Sequence, residues 1–260
     1  MNESLPLNIV VPMAGRGSRF AGAGYAVPKP LIPLGGRPMI SWVIENVRPR
    51  RPHRFVFLCL EEHLATFPEV RRMLTAACPG CGIVTIDEVT EGAACTVLKA
   101  REFIDSPAPL MIVNSDQYVD CEIDRYLDAG DAPGTDGLIM TFWADDAKWS
   151  YCRLGDDGAV REVVEKKVVS NHATVGVYNF RHGSDFVRAA EAMIALNLRV
   201  NGEFYVAPVY NQLVATGGRV VIFDVGREGD GMFGLGIPED VEFFKTTRVF
   251  RAAASEIAQG

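Results

Sequence analysis

Short apolar runs alternate with amphipathic segments in the first half of the chain. The runs predict buried strands, and they are residues 8–12, Phe55–Leu60, Ile83–Ile86 and Leu110–Val113. Between them, apolar residues at helical spacing predict a helix beginning at Pro38 and further helices over Glu61–Ala77 and Ala93–Phe103. This alternation is typical of right-handed βαβ units, so the pattern predicts an α/β fold with a Rossmann-like sheet, mixed but mainly parallel, flanked by helices.

The second half of the chain is less regular and richer in predicted strands. These strands are Gly137–Trp143, a hairpin of Tyr151–Leu154 with Val160–Val164, Ala173–Phe180 and Val220–Phe223. The predicted helices are Ser184–Leu196, Val206–Ala215 and Glu239–Ala253. Neither a repeat nor a linker separates the two halves, so we expect a single domain over residues 1–260.

Composition and charge narrow the class of protein. The 260 residues are 48% apolar and 23% charged, with a net charge of −7, which is ordinary for a globular domain and offers no basic field to nucleic acid or anionic membrane. The start lacks a signal-peptide pattern, and no apolar run is long enough to span a bilayer. The six cysteines are scattered, and Cys78 and Cys81 lack a second metal-binding pair, so a turn is favoured over a metal or redox role. We expect a cytoplasmic protein with no nucleic acid or membrane partner.

The loop after the first strand carries the strongest chemical signal. Gly15 and Gly17 allow the backbone N–H groups to approach phosphate oxygens, and the guanidinium group of Arg19 matches phosphate geometry. Lys29 stands between two prolines, so its ammonium group is carried on a stiffened chain. The loop fits neither the GxxxxGK[ST] nor the GxGxxG pattern. A phosphate-binding loop of another kind is therefore predicted.

Several motifs together resemble one family of enzymes. They are VPMAGRGSR at 11–19, PKPLIPL at 28–34, GRPMI at 36–40, EGAACT at 91–96, VNSD at 113–116, EK at 165–166 and GIPED at 236–240. The chain resembles the nucleotidyltransferases that activate sugar phosphates and related small phosphorylated compounds. It resembles the uridylyl and cytidylyl branches more than the thymidylyl branch, because a single Gly follows Met-Ala. It also resembles short members found with capsule genes, such as CTP:phosphoglutamine cytidylyltransferases. The resemblance implies a GT-A-like nucleotidyltransferase fold with a nucleotide-binding half at 1–120 and an acceptor-binding half at 121–260.

The resemblance also implies roles for residues of the first half. Nucleotide contacts are assigned to Met13, Ala14, Gly15, Gly17 and Ser18. Arg19 would grip the triphosphate, Lys29 would neutralise the α-phosphate, and Asp116 would bind Mg²⁺ as the cofactor. The residue type supports the last role, because a carboxylate at the end of a buried strand is costly unless it faces a cation. The alternative for Asp116 is a turn or helix-cap residue.

The base-reading residues implied by the resemblance are Asp87, Gly92 and Ala93. A carboxylate at 87 accepts a hydrogen bond from the amino group of cytosine, which favours CTP over UTP. Alternatively, Asp87 is solvated and the backbone around Gly92 reads the base.

The implied acceptor-binding residues are Glu165, Lys166, Lys167 and Glu203. Two positions depart from the family pattern. Pro208 replaces a usual Asp, so altered acceptor contacts are expected. Gly234 stands where a second metal-binding Asp is usual, and Asp224 or Asp230 is a possible replacement unless Asp116 and the phosphates suffice.

These features predict Mg²⁺-dependent transfer of a nucleoside monophosphate, with CMP favoured, to a small phosphorylated acceptor, releasing pyrophosphate for surface polysaccharide or capsule biosynthesis. An anionic acceptor oxygen needs no general base, so the lack of a Ser-His-Asp arrangement is consistent with this chemistry. The alternatives are a UTP-using sugar-1-phosphate uridylyltransferase, a non-catalytic nucleotide-binding regulator and a nucleotide-sugar-consuming glycosyltransferase. A homo-oligomer is possible by analogy, and the acceptor is left unnamed.

Overall fold

The computed structural model describes residues 5–259, with side chains through Ser255. The strands are β1 Leu7–Pro12, β2 Pro33–Leu34, β3 Arg37–Pro38, β4 His53–Leu60, β5 Gly82–Ile86, β6 Leu110–Val113, β7 Gln117–Val119, β8 Gly137–Trp143, β9 Ser150–Leu154, β10 Val160–Glu165, β11 His172–Phe180, β12 Val220–Glu228 and β13 Gly231–Gly234. The α-helices are α1 Ser18–Gly22, α2 Met39–Asn46, α3 Glu61–Thr66, α4 Glu69–Ala77, α5 Ala93–Leu98, α6 Arg101–Ile104, α7 Ile123–Gly130, α8 Gly183–Ala195, α9 Tyr210–Ala215, α10 Pro238–Thr246 and α11 Arg248–Gln259. None of the described helices is long and apolar enough to cross a bilayer.

One sheet of eleven strands contains segments from both halves of the chain. Its main path runs β5-β4-β1-β6-β11-β8-β12-β13-β7, and the β9–β10 hairpin joins it at β11. The four strands from β5 to β6 are parallel, whereas β11 runs antiparallel to both β6 and β8. The predicted α/β sheet, mixed and mainly parallel, is confirmed.

Both faces of the central strands are covered, which explains their nearly continuous apolar sequence. Successive residues of β1 face opposite sides, so Val10 joins a core with α5, α8 and α9, while Val11 joins a core with α2, α4 and α7. A third cluster surrounds Trp42 beneath the loop that follows β1. This third cluster supports the loop in which the candidate phosphate ligands lie.

Four predicted helices are interrupted. Glu61–Ala77 divides into α3 and α4 at Pro68, because the residue before a proline is disfavoured in helical conformation. Glu239–Ala253 divides at Thr247, whose ψ of 156° is extended. Ala93–Phe103 divides between α5 and α6, and Val206–Ala215 begins as a 3-10 helix at Ala207–Val209 before α9.

Several elements do not follow from the sequence pattern. Among them are β7, α7 and β13, of which β7 and β13 pair with each other at the end of the sheet path. Both strands are short, and their pairing joins segments more than a hundred positions apart. Their position matters, because β7 begins directly after Asp116. The predicted hairpin of β9 with β10 is confirmed.

Candidate active site

The loops after β1 and β6 meet at one edge of the sheet. These strands are parallel neighbours, with Asn8 opposite Leu110 and Val10 opposite Ile112. Their carboxyl ends therefore lie side by side, and ligands of open parallel sheets bind at such a position. The loop after β1 carries Arg19 and Lys29, and the turn after β6 carries Asp116.

Lys29 and Asp116 form an ion pair. The Nζ of Lys29 lies 2.7 Å from Oδ2 of Asp116, and the two side chains are 22% and 27% exposed. Lys29 begins a single turn of 3-10 helix after Pro28. On the other side of the loop, Gly17 adopts a left-handed conformation (φ 60°), and a Cβ on it would lie 3.1 Å from Cβ of Lys29. Glycine therefore allows the loop to approach Lys29 closely.

Arg19 lies near the same carboxylate. A Cβ on Gly236 would lie 3.2 Å from Oδ2 of Asp116 and 3.9 Å from Nη1 of Arg19. The neighbouring Leu235 N–H donates to the Asp116 carbonyl oxygen at 2.8 Å. In the segment after β13, the backbone of Gly236, which carries no side chain, thus lies beside both Arg19 and Asp116.

The predicted nucleotide-binding residues of the loop after β1 differ in exposure. Met13 and Ala14 are buried, and the Met13 N–H is already used by the Leu58 carbonyl oxygen at 2.8 Å. Gly15 and Ser18 are exposed at the rim. Exposed backbone at Gly15 and Ser18 is therefore better placed to meet a phosphate than the Met13 N–H.

The predicted base-reading loop follows β5. Asp87 is exposed directly after the last residue of that strand. The Thr90 hydroxyl donates to the Gly92 carbonyl oxygen at 2.9 Å, which holds the turn into α5. Gly92 has φ 135°, and Ala93 begins α5. The conformation of the loop thus depends on Gly92, whereas the Asp87 side chain is exposed and accessible to a base.

Of the predicted acceptor residues, Glu165 ends β10 and Lys166 directly follows it. The Glu165 carboxylate is buried and accepts a hydrogen bond from the Ser150 hydroxyl. Burial raises the pKa of Glu165, and Ser150 and Lys166 oppose that rise. Lys166 has φ 56°, an uncommon conformation for lysine, and its Nζ lies 3.7 Å from Oε1 of Glu165 and 5.4 Å from the ring centroid of Tyr205.

Glu203 and Lys167 lie around this pair and are exposed. The Glu203 carboxylate is close enough to Tyr205 to help burial raise the pKa of the tyrosine hydroxyl. Ser150 does not follow from the sequence motifs, and its only sequence signal is that it adjoins a predicted strand. Tyr205 ends the segment 201–205, which resembles the acceptor-binding wall of the family, but its contact with Lys166 does not follow from that motif.

The candidates for a second metal ligand are not near Asp116. Gly234 pairs with Gln117, whereas Asp230 precedes the opposite end of β13, about 17 Å from Leu235 along an extended chain. Asp224 lies on β12 opposite Thr141, and β11 and β8 separate β12 from β6 by about 14 Å across the sheet. Its carboxylate accepts the Gly226 N–H at 2.9 Å. This corrects the expectation that Asp224 or Asp230 replaces the missing carboxylate.

Asp240 is the carboxylate closest to the position of Gly234. Its Oδ2 lies 3.2 Å from where a Cβ on Gly234 would be. However, burial followed by Glu228 raises its pKa, and the backbone N–H of Ile237 opposes that rise. Asp240 lies in the first turn of α10, where the helix dipole favours a carboxylate.

The donors around Asp116 fit Mg²⁺ held largely by the substrate. Mg²⁺ prefers hard oxygen ligands and is commonly bound by one or two carboxylates together with phosphate oxygens. Asp116 supplies a partly exposed carboxylate, and the bare backbone at Gly236 leaves space beside it. Within residues 5–255, no group of three or more His, Cys, Asp or Glu side chains is arranged to hold a metal.

Comparison with known proteins identifies the family of the chain. Residues 9–194 match the sequence profile of the nucleotidyl transferase family. The chain belongs to this family. As a nucleotidyl transferase it is 27% identical to the bifunctional protein GlmU of Burkholderia pseudomallei (strain K96243) over 256 residues, which cover 94% of the chain and 52% of GlmU. The chain thus spans about half the length of these curated relatives.

Solved structures of similar proteins share the fold of this transferase. The nucleoside-diphosphate-sugar pyrophosphorylase from Vibrio cholerae RC9 has a TM-score of 0.74 at 24% identity, covering 92% of this chain and 100% of its own. The inositol-1-phosphate CTP transferase from T. maritima has a TM-score of 0.72 at 15% identity, covering 97% and 96%. The GT-A-like fold is confirmed.

Proposed function

We propose that the protein transfers CMP from CTP to a small phosphorylated acceptor and releases pyrophosphate. The observation that carries the proposal is the Lys29–Asp116 pair at 2.7 Å beside Arg19, at the carboxyl ends of β1 and β6. Such a site offers two cations for phosphate oxygens and one carboxylate for a metal. Asp87 supports CTP over UTP, and the resemblance to capsule-associated proteins supports a product used for surface polysaccharide.

In the proposed reaction, an acceptor phosphate or phosphonate oxygen attacks the α-phosphorus in line. A new P–O bond forms, the bond to the β-phosphate breaks, and pyrophosphate leaves with its electron pair. When bound, Mg²⁺ would neutralise phosphate charge next to Asp116. Lys29 turns from Asp116 to the α-phosphate oxygens, Arg19 holds the triphosphate, and Lys166 binds the acceptor phosphate. Positioning and charge neutralisation supply most of the rate enhancement.

Measurement of pyrophosphate release tests this proposal. CTP, UTP, ATP and GTP are each incubated with Mg²⁺ and with sugar 1-phosphates, phosphocholine, phosphoamino acids or 2-aminoethylphosphonate. We expect turnover to be fastest with CTP and to depend on one acceptor class. Turnover fastest with UTP and a sugar 1-phosphate would identify the uridylyl alternative.

A non-catalytic nucleotide-binding regulator is the second candidate. Gly234 favours it, because the second metal carboxylate of the family pattern is missing and neither Asp224 nor Asp230 replaces it. Nucleotide binding without pyrophosphate release in any acceptor mixture would establish this alternative and reject catalysis.

A further inference from the structure

The two proposed substrate sites share a backbone connection at Phe204. The Phe204 N–H donates to the Glu91 carbonyl oxygen at 2.8 Å, and the Ala94 N–H donates to the Phe204 carbonyl oxygen at 3.0 Å. Glu91 and Ala94 belong to the base-reading loop and α5. Phe204 directly precedes Tyr205, whose ring faces Lys166. One buried residue is therefore hydrogen-bonded to the nucleotide side and covalently joined to the acceptor side.

Phe204 is carried by a tight hairpin over residues 197–204. Val200 and Glu203 exchange both backbone hydrogen bonds at 3.0 Å. Asn201 and Gly202 between them have φ values of 50° and 82°, as a type I′ turn requires. Two backbone hydrogen bonds and a turn that suits its sequence therefore fix the backbone of this hairpin.

Arg199 fastens this hairpin to the base-reading loop. Its Nη1 lies 3.0 Å from Oε1 of Glu91, and its Cζ lies 4.2 Å from the ring centroid of Phe204. Within the hairpin, its Nε donates to Oδ1 of Asn197 at 2.7 Å. A single guanidinium group thus contacts the loop, the hairpin and the buried ring.

The approach between loop and hairpin is closest at Gly92. A Cβ there would lie 2.5 Å from both the nitrogen and the oxygen of Phe204, and φ is 135°. Any side chain would force the loop and the hairpin apart. The contact between the loop and the hairpin is therefore made by the backbone. Arg199 adds a side-chain contact, which a substitution can remove.

We propose that the 197–204 hairpin couples nucleotide binding to the acceptor site, with Arg199 as the positioning residue. A nucleotide that orders residues 87–93 also orders Phe204, Tyr205 and the adjoining Lys166. The acceptor then loses less conformational freedom on binding, and by linkage it strengthens nucleotide binding equally. This inference rests on the proposed function, since it requires a nucleotide at the base-reading loop.

Hydrogen exchange of the full chain tests the coupling without the acceptor. The probes are the α,β-methylene analogues of CTP and UTP with Mg²⁺, because they bind without transferring a nucleotidyl group. We expect either analogue to slow exchange over residues 87–96 and also over 203–205. In Arg199→Met, the slowing at 203–205 should decrease by about two- to fivefold while that at 87–96 persists, since an exposed ion pair makes a modest contribution.

Matched variants separate coupling from general loosening. Glu91→Gln removes the same ion pair from the other side, so the double variant should lose no more than either single one. Arg188→Met removes an exposed pair with Asp185 on α8 and should leave both regions protected. A merely structural role for Arg199 would change exchange without nucleotide but not the ratio measured on binding.

The outcomes distinguish the inference from the proposed function. Slowing at 87–96 without slowing at 203–205 overturns the coupling and leaves the nucleotide site intact. Equal slowing at 203–205 in the wild type and Arg199→Met overturns the positioning role proposed for Arg199. Absence of slowing anywhere, together with no thermal shift by any nucleoside triphosphate, overturns the proposed function and the coupling with it.

Discussion

Lys29 and Asp116 lie 87 positions apart in the chain and 2.7 Å apart in the structure. The sequence motifs identified each residue separately, because a proline-flanked lysine and a carboxylate after an apolar strand are local features. Their pairing could not be predicted, since it depends on the loop folding back past Gly17. The same limit applies to Tyr205, which becomes a partner of Lys166 only through the chain path.

Replacing Lys29 with Met should lower kcat by roughly 10²–10³-fold, because a preorganised charge on the reacting phosphate is lost. Pyrophosphate release under saturating nucleotide measures this effect. Lys245→Met, which removes an exposed pair with Glu242, is the matched control and should retain activity. A near-wild-type rate for Lys29→Met would exclude Lys29 from the transfer step.

Asp87 carries the proposed choice between CTP and UTP. Asp87→Asn should reduce the ratio of kcat/KM for CTP over UTP by about tenfold, because the amide group can also donate to the carbonyl oxygen of uracil. Asp105→Asn is a control at an exposed carboxylate paired with Arg101. An unchanged ratio would assign base recognition to the backbone near Gly92.

The buried carboxyl group of Glu165 should affect both the pH dependence of stability and the binding of the acceptor. Its folded pKa is raised by burial, so the folded state binds the proton more tightly, and the stability this provides is lost as pH rises through the folded pKa. Glu165→Gln should therefore match or exceed the wild-type melting temperature at pH 8 and lose that advantage near pH 4. Acceptor KM should rise at least tenfold. Melting curves across pH check the first effect, and an advantage that grew on acidification would contradict the burial argument.

Among the elements, strands with apolar sequence on both faces were predictable, whereas the two short strands at the end of the sheet path were not. β4 and β6 are buried throughout most of their length, so their sequences are continuous apolar runs. β13 contains two glycines in four residues, and β7 has three residues in all. Such segments become strands through pairing with each other rather than through local preference.

The turn into α1 provides a test at this scale. Gly17 is the residue before α1, with φ 60°, and a side chain there would press on Cβ of Lys29. Gly17→Ala should lower kcat/KM by about tenfold or more by displacing Lys29, since small misplacements of catalytic groups are costly. Gly22→Ala, at a site with open space and without positive φ, should behave like the wild type. Equal activity of the two variants would show that the loop tolerates the displacement.

Across the whole molecule, the site is assembled from both halves of the chain. Lys29 comes from the loop after β1, Asp116 from the turn after β6, and Gly236 from the segment after β13. Family motifs predicted which segments contribute to the site, but they do not give the distances between side chains of different segments. That is why the second-ligand candidates Asp224 and Asp230 were plausible in sequence and lie elsewhere in space.

The C-terminal helices stabilise this assembly through Phe250. Its ring lies 4.9 Å from that of Trp42 and 5.6 Å from that of Phe244, in the cluster that also contains Phe20 next to Arg19. Phe250→Ala should reduce the free energy of unfolding by about 1–3 kcal/mol, because Phe250 is only partly buried. Nucleotide affinity should fall a few-fold as the support of Arg19 loosens.

Thermal melting with and without CTP and Mg²⁺ measures both consequences of Phe250→Ala. Bound nucleotide stabilises only the folded state, so it should raise the melting temperature of the variant, but by less than it raises that of the wild type. Phe243→Ala is the matched control, because Phe243 is 54% exposed on α10 and lies outside the cluster. If Phe250→Ala lost no more stability than Phe243→Ala, the C-terminal helices would not support the phosphate loop. If it lost stability but bound nucleotide as the wild type does, the cluster would stabilise the fold without positioning Arg19.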